Sequence, residues 1–299
     1  MAMVTLVFGA LTTSKNAGMA FRDWPNSDGY LMVTYPWFRD FASNWDKFLE
    51  HGHRLAGMLI GLWSIGLVWV LHRDETRRWV KGLGYAVLLC VILQGLLGGF
   101  RVVLDERGLA MVHGAFAACV LSLMASVATI ESRRWLLEDD YSRSPAAGHL
   151  KPWAGLTVAA IFGQFLLGGM IRHHGSGLHE HLGMGILTWV LIGVNAVVSH
   201  RSSISWLRRS GWMLFAIASM QVVLGAGAWV LKWGFTWTGY VATADSIAQV
   251  LHRTAHAVVG MLTMAAAVVH LVRVLRVSSC QPQPQWDPRS LLQTDGGAA

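Results

Sequence analysis

Apolar residues run through most of this chain in long stretches that polar loops separate. Seven stretches are long enough for a helix to cross the roughly 30 Å hydrocarbon core of a bilayer. Their approximate ends are 50–71, 82–100, 109–131, 153–171, 180–199, 210–231 and 247–272. The apolar runs are continuous and do not alternate, which indicates helices and not a transmembrane barrel. Met1–Thr13 is apolar but too short to span, so we expect a first helix truncated by a misplaced start, or else a half-span.

This pattern predicts an all-α integral membrane protein with eight transmembrane helices, the first one short. The composition agrees, because 54% of the 299 residues are hydrophobic and only 14% are charged, whereas a soluble domain carries about 25% charged residues. No polar block is long enough to form a separate soluble domain.

The net charge of +7 is distributed unevenly, because Lys and Arg concentrate in alternate loops. These residues are Arg73, Arg77, Arg78, Lys81, Arg133, Arg134, Arg143, Lys151, Arg201, Arg208, Arg209, Arg273, Arg276 and Arg289. By the positive-inside rule these loops face the cytoplasm, together with both termini. The basic charge therefore reflects membrane topology, and we expect no nucleic-acid partner.

An internal repeat relates the segments to one another. Three odd-numbered segments carry a motif of glutamine and small residues, and each following segment opens with histidine. The motifs are Gln94–Gly99, Gln164–Gly169 and Gln221–Ala226, and the first segment ends similarly at Val7–Ala10. Small residues of this kind serve close helix packing in membranes, which we take as their main role.

The repeat predicts two four-helix bundles as pseudo-repeated halves, residues 1–131 and 153–277. A cytoplasmic linker, 132–152, joins them, and a disordered cytoplasmic tail, 278–299, follows.

Four histidines lie at matching depth near the starts of the even-numbered segments: His53, His113, His181 and His256. A glycine follows three of them after four residues, and an alanine follows His113. A small residue one turn from an axial imidazole leaves room for a flat macrocycle. The pattern therefore predicts two haem sites toward the outer leaflet, His53 with His113 and His181 with His256. His179 remains an alternative to His181, and His252 an alternative to His256.

The two predicted sites are not equivalent. Glu50 lies one turn before His53, whereas Glu180 directly precedes His181 and points elsewhere on its helix. A carboxylate that lies beside just one of the two sites indicates chemistry at the first site and a supporting role for the second.

Other polar residues are assigned by their positions along the spans. Four arginines at similar depth, Arg54, Arg101, Arg172 and Arg253, are candidates for pairing with haem propionates, with snorkelling to the interface as the alternative. His72, His200 and His270 are expected at the cytoplasmic interface. The three cysteines, Cys90, Cys119 and Cys280, suggest neither a disulfide framework nor a thiolate metal site.

With these residues in place, the chain resembles the haem A synthase family from about Val4 to Val274. The most specific match is Glu50-His51-Gly52-His53-Arg54, which is similar to the family's Glu-x-x-His-Arg. The outer loop from Thr13 to Pro25 is similar as well. Two departures are the absence of the cysteine pair that some members carry in this loop, and His-Leu at 181–182 where the family often has His-Arg.

The resemblance implies an enzyme of the bacterial inner membrane that oxidises the C8 methyl group of haem O to the formyl group of haem A. Haem O would lie between His53 and His113, with Glu50 as the essential carboxylate. Haem b would lie between His181 and His256 and pass electrons. The implied partners are haem O synthase, the cytochrome oxidase assembly, an unidentified electron donor and the lipid bilayer. The oligomeric state is left open, with a homo-oligomer as one alternative.

A non-catalytic di-haem b cytochrome is the main alternative. Electron transfer across the bilayer favours haems at opposite leaflets, whereas these four histidines predict one leaflet, and such a protein has no evident need for Glu50. A haem or metal transporter is expected to have broken helices near mid-membrane, and Pro152, expected at a helix start, is the one proline in the spans from residue 50 onward.

Overall fold

The computed structural model describes residues 1–137 and 145–279, and every named element in these ranges is helical. The α-helices are α1 (Ala2–Ser14), α2 (Asp40–Ser43), α3 (Trp45–Asp74), α4 (Arg78–Val103), α5 (Arg107–Ile130), α6 (Arg133–Leu137), α7 (Pro145–His174), α8 (Leu178–His200), α9 (Ser205–Trp233) and α10 (Ile247–Ser279). Two short 3-10 helices, Trp37–Arg39 and Thr236–Thr238, lie in the loops.

Seven helices, α3 to α5 and α7 to α10, are long and apolar enough to cross a membrane, and α1 is a shorter apolar helix of 13 residues. Their outward faces carry large apolar side chains, such as Leu62, Trp63 and Val223, which are 58%, 67% and 70% exposed. Exposed side chains of this kind suit contact with lipid. The all-α membrane architecture is therefore as the sequence predicts.

The helices extend further than the apolar runs indicate. α3 begins at Trp45, and α7 begins at Pro145 and contains Pro152 in its interior instead of at its start. A proline removes one backbone donor, and a helix tolerates this where neighbouring groups satisfy the freed carbonyl. α6 and the beginning of α7 lie inside the linker predicted over 132–152, whose boundaries stay a prediction. The tail predicted from 278 lies outside the described residues, apart from its first two positions in α10.

The two halves differ slightly in how they close. α7, α8, α9 and α10 form a ring in which each helix contacts the next and α10 returns to α7. In the first half α1 packs on α3, α3 on α4 and α4 on α5, while both α1 and α5 also pack on α10. α10, together with the contact between α5 and α7, therefore joins the two predicted halves.

Apolar clusters fill the bundles away from the four histidines. One cluster includes the fully buried Ile192 and Leu214, and another joins Leu71, Val80 and Ile130 from three helices of the first half. Lipid tails are as apolar as these side chains, so close packing and not transfer from water is the main gain here.

A polar cluster in the second half was not expected. His270, which the sequence places at the cytoplasmic interface, is 1% exposed. Its Nδ1 lies 2.8 Å from Ser210 Oγ, and its Nε2 lies 3.3 Å from both Ser199 Oγ and Asn195 Oδ1. The expectation was wrong because α8 and α9 supply hydrogen-bonding partners that a single helix does not reveal.

Local signals set where the site helices begin. The side chain of Asn44 accepts a hydrogen bond of 3.1 Å from the backbone N–H of Lys47, which caps α3 nearly two turns before Glu50. α8 begins after Gly177, whose φ of 86° favours glycine. These two starts place Glu50 and His181 within the first turns of their helices.

Candidate functional site

The four predicted histidines form two pairs of almost identical geometry. The ring centroids of His53 and His113 are 6.3 Å apart with an interplanar angle of 87°. Those of His181 and His256 are also 6.3 Å apart, with an angle of 83°. The pairing matches the one that the repeat predicts, and it joins α3 to α5 and α8 to α10.

The alternative histidines lie elsewhere. His179 is exposed. His252 has its Nδ1 3.0 Å from the carbonyl oxygen of Ala248 in its own helix. The structure therefore brings together His181 and His256, and neither alternative joins the pair.

Each paired imidazole lies against a glycine of the preceding long helix or, for His53, of α1. The four contacts are Gly9 with His53, Gly98 with His113, Gly168 with His181, and Gly225 with His256. A Cβ atom at these glycines would lie 2.7, 2.9, 3.4 and 2.9 Å, respectively, from the imidazole Cε1. Gly9, Gly98 and Gly225 are thus needed for the rings to occupy their positions, whereas a Cβ at Gly168 would make an ordinary contact. For these three glycines the role is more specific than general helix packing.

The second ring nitrogen has a partner in two of the four histidines. His53 Nδ1 lies 3.0 Å from the carbonyl oxygen of Thr5, and His256 Nδ1 lies 3.2 Å from that of Gln221. A donor bond from Nδ1 to a carbonyl leaves Nε2 as the free metal-binding nitrogen. Nδ1 of His113 and of His181 is buried without a hydrogen-bond partner among the described residues.

The glutamines of the repeat contact the same histidines, which the sequence analysis missed. The amide nitrogens of Gln94 and Gln164 each donate a 3.0 Å hydrogen bond to the backbone carbonyl of the histidine on the next helix, His113 and His181. Gln221 places its amide nitrogen 3.5 Å from His256 Nε2. The constant spacing of four residues from each glutamine to its histidine-contacting glycine is the signal that reveals this arrangement.

Glu50 is buried in a network of three donors. Its carboxylate accepts hydrogen bonds from the backbone N–H of Ala20 at 2.7 Å and of Phe21 at 3.2 Å. It also forms an ion pair of 2.7 Å with Arg54, and the two side chains are only 3% and 7% exposed. Glu50 therefore fixes the outer loop against α3. Arg54, which the sequence offers to a propionate, is engaged by this carboxylate.

Arg54 extends the same network into the loop. Its second guanidinium nitrogen donates to the carbonyl oxygens of Asp23 at 2.8 Å and Asn26 at 2.6 Å. Although burial acts to raise it, the pKa of the Asp23 carboxyl is held below its ordinary value by hydrogen bonds from the backbone N–H groups of Gly29 and Asp28. The loop around residue 23 is thus charged and is held to α3 through Arg54, one residue after His53.

His51 is a buried residue whose position the sequence does not reveal. It is 1% exposed, and its Nδ1 lies 3.1 Å from Ser27 Oγ. Its ring lies among aromatic side chains, with centroids 4.7 Å from Tyr35 and 6.0 Å from Phe21. His51 therefore packs the outer loop onto α3, on the side away from His53.

Comparison of the sequence with protein families matches residues 1–182 to the COX15-CtaA family, described as cytochrome oxidase assembly protein. The match covers more than half of the chain. The chain belongs to this family. The matched residues include α1 to α7 and reach His181, so they contain the whole first histidine pair and the Glu50 network.

Curated relatives of this COX15-CtaA member share part of its length. A protein named heme A synthase from Alkalihalophilus pseudofirmus is 29% identical over 42% of this chain and 40% of its own length. Proteins of the same name from Rhodopseudomonas palustris and Methylobacterium radiotolerans are 29% and 27% identical, over 44% and 49% of this chain. The chain spans about two fifths of the length of these relatives. No solved structure matches the chain significantly.

Membership of this family raises the question of whether the histidine pairs fit a haem. One iron between two coaxial imidazoles needs a centroid separation of about 6 Å, given a metal–nitrogen bond of about 2.0 Å, and both pairs have 6.3 Å. Among the described residues no group of three His, Cys, Asp or Glu could hold a metal ion, so paired axial ligation suits these histidines better than a bare ion. The geometry of both histidine pairs therefore fits a haem iron with two axial imidazole ligands.

Two arginines complete the candidate site. A cavity of about 460 Å³ lies at the histidine end of the bundles and is lined by residues that include Arg101 and Arg172. Arg101 donates to the carbonyl oxygen of Gly18, and Arg172 donates to Ser14 Oγ at 2.7 Å. Within residues 1–137 and 145–279, no ion pair joins either guanidinium to a carboxylate. Asp105 and Glu106 line the same cavity but form no ion pair with either arginine among the described residues. An acidic ligand would supply the direct anionic partner that both guanidinium groups lack.

Proposed function

We propose that this chain is a haem A synthase, a membrane oxidoreductase that converts the C8 methyl group of haem O to the formyl group of haem A. The observation that carries the proposal is that two histidine pairs have matching geometry. Only the first pair has a buried carboxylate, Glu50, one helical turn from one of its histidines. Membership of the COX15-CtaA family and relatives named heme A synthase support the same activity.

In this proposal His53 and His113 hold haem O as the substrate. The carbonyl of Thr5 accepts from His53 Nδ1, which leaves Nε2 as the nitrogen that would bind iron. Gly9 and Gly98 allow both rings to approach. His181 and His256 in the second half would hold haem b, whose iron would supply electron transfer to the first site.

Glu50 has two roles in the proposal. Its carboxylate anchors the outer loop, which excludes water from the first site. We also propose that it takes up a proton released during oxidation of the substrate, because it is the ionisable carboxylate nearest in sequence to His53. Proton uptake requires Arg54 or the loop N–H groups to loosen their hold, so the two roles are linked.

Arg101 and Arg172 are proposed to pair with haem propionates in place of Arg54. Their guanidinium groups lie at the cavity and are free of carboxylate partners among the described residues. A planar guanidinium matches a carboxylate through two parallel hydrogen bonds. Arg253, the fourth candidate, stays a prediction.

The proposed setting is the bacterial inner membrane, with both termini in the cytoplasm and both haem sites toward the outer leaflet. The distribution of Lys and Arg supports this orientation. Haem O synthase would supply the substrate, and the cytochrome oxidase assembly would receive the product. Because conversion of a methyl to a formyl group removes electrons and adds an oxygen atom, the reaction would also need an oxidant and an oxygen source, such as dioxygen together with a separate electron donor. Homo-oligomerisation stays a prediction.

The test is extraction and mass analysis of haems from protein that is purified after co-expression with a haem O synthase. We expect haem b together with haem O and haem A or its hydroxylated intermediate. Two haem b per chain without any O- or A-type haem would favour the di-haem b cytochrome, which the equal geometry of the two pairs also allows.

The same preparation tests the role of Glu50. Glu50→Gln keeps an acceptor for the loop N–H groups but cannot take up a proton, so we expect bound haem O to remain while haem A disappears. Conversion at the wild-type rate would remove the carboxylate from the mechanism.

A further inference from the structure

The repeat that relates the two histidine pairs is broken at one position beside the first pair. The glutamines at 94, 164 and 221 each lie four residues before the histidine-contacting glycine, and in α1 this position is Thr5, four residues before Gly9. Thr5 is the shorter side chain, and its hydroxyl donates to the carbonyl oxygen of Ala56 at 3.2 Å.

The difference leaves space one turn beyond His53. In the second half the glutamine amide fills this space, because a Cβ at Gly185 would lie 2.8 Å from Gln164 Nε2 and one at Gly260 would lie 3.0 Å from Gln221 Nε2. A Cβ at the corresponding Gly57 would meet nothing within 4 Å among the described residues. We call this opening the Thr5–Gly57 gap.

The gap lies on the membrane side of the first site. α3 runs inward from the outer loop, so Gly57 lies about 6 Å deeper than His53 at about 1.5 Å per residue. Arg101 and Arg172 lie toward the opposite, loop-facing end of the site. If Arg101 and Arg172 hold the propionates of a haem, its apolar edge would lie toward the gap.

We propose that the Thr5–Gly57 gap admits the isoprenoid side chain of the substrate haem, and that Gln164 closes the equivalent position of the second site against it. This inference rests on the proposed function, in which the two sites hold different haems. Haem O carries a long apolar isoprenoid chain that haem b lacks, and the hydrocarbon core favours such a chain at this depth. The Gln164 amide is held by its 3.0 Å bond to the His181 carbonyl, so it does not yield easily.

The experiment exchanges the two side chains in the full-length protein. Wild type, Thr5→Gln, Gln164→Thr and the control Val4→Gln are each co-expressed with a haem O synthase and purified. Their b-, O- and A-type haems are then counted per chain. The count does not depend on turnover, and haem b at the second site reports whether the protein has folded.

We expect Thr5→Gln to lower the O- and A-type haem by about tenfold or more, the discrimination typical of a pocket that lacks room for a few atoms, with haem b retained. Val4→Gln places the same amide on the neighbouring residue of α1, which is 45% exposed, so it should keep the wild-type content. Gln164→Thr should admit some O-type haem to the second site at the expense of haem b.

The outcomes separate the inference from the function on which it rests. Wild type without O- or A-type haem would overturn the proposed function itself. Wild type with these haems, together with a Thr5→Gln variant that binds them equally well, would overturn the inference alone. If Thr5→Gln loses both haems through misfolding, Gln164→Thr decides, and an unchanged haem content in that variant would overturn the inference.

Discussion

The buried ion pair between Arg54 and Glu50 offers the sharpest test of how the outer loop is held. Arg54→Ala removes the 2.7 Å ion pair and the two bonds to the carbonyl oxygens of Asp23 and Asn26. It also leaves the Glu50 carboxylate, which is 3% exposed, with only two backbone donors. Removing one partner of a buried pair typically costs about 3–5 kcal/mol. This is a large part of the roughly 5–15 kcal/mol that stabilises a typical native protein.

The cost should appear first as local opening of the loop, because α3 itself is held by its own helical bonds and by α1 and α4. Limited proteolysis within residues 14–44 measures this opening, and the thermal midpoint of the purified protein measures the global effect. Arg39→Ala is the matched control. Arg39 lies in the same loop, 3.9 Å from Asp40, and is 63% exposed, so its removal should cost less than about 1 kcal/mol.

A double variant separates the lost pair from the stranded charge. Glu50→Gln in the Arg54→Ala background replaces the uncompensated carboxylate with a neutral amide that still accepts from the loop N–H groups. We expect it to recover part of the lost stability, since a stranded charge is costlier than an absent pair. Equal protease resistance of Arg54→Ala and Arg39→Ala would refute this reasoning, as would a double variant less stable than Arg54→Ala alone.

Three further outcomes are expected. His256→Ala should strip the tightly held haem b, and a normal absorbance spectrum for that variant would exclude this ligand. Gly98→Ala should lower the haem content of the first site, because the new Cβ would lie 2.9 Å from His113 Cε1; Gly61→Ala, with nothing within 4 Å, should leave it unchanged. Burial and a hydrogen bond to a carboxylate raise the pKa of Tyr35. The stability that Tyr35 contributes is therefore complete below about pH 10 and is lost as the pH rises above that. Above about pH 10 the thermal midpoint of Tyr35→Phe should fall less steeply with pH than that of wild type.

The spans and the histidine pairs were predictable because each depends on a periodic signal within one helix. Continuous apolar runs identify the long helices, and their repeat aligns both His181 and His256 with His53. Two helices that start at the same membrane face place their first turns at one depth, so the pairing followed from topology.

The partners of the ionisable groups were not predictable in the same way. Glu50 meets the backbone of Ala20 and Phe21, which lie 30 and 29 residues away in an irregular loop. Backbone N–H groups leave no mark in a sequence, so the engagement of Arg54 by Glu50, and not by a propionate, could only be seen in the folded chain. The same holds for His270, whose partners come from two other helices.

The repeat also bears on how one chain could hold one haem as a resident cofactor and another as a substrate. The imidazoles, their glycine contacts and their 6.3 Å separation are nearly the same in both halves. What differs lies beside His53: the ion-paired Glu50, and Thr5 in place of a glutamine. A resident cofactor is best kept by a packed shell, whereas a substrate site must admit a larger ligand and release its product. Filling the gap in one half and opening it in the other changes this balance without moving any ligand histidine, so a few side chains are sufficient to separate the two proposed roles.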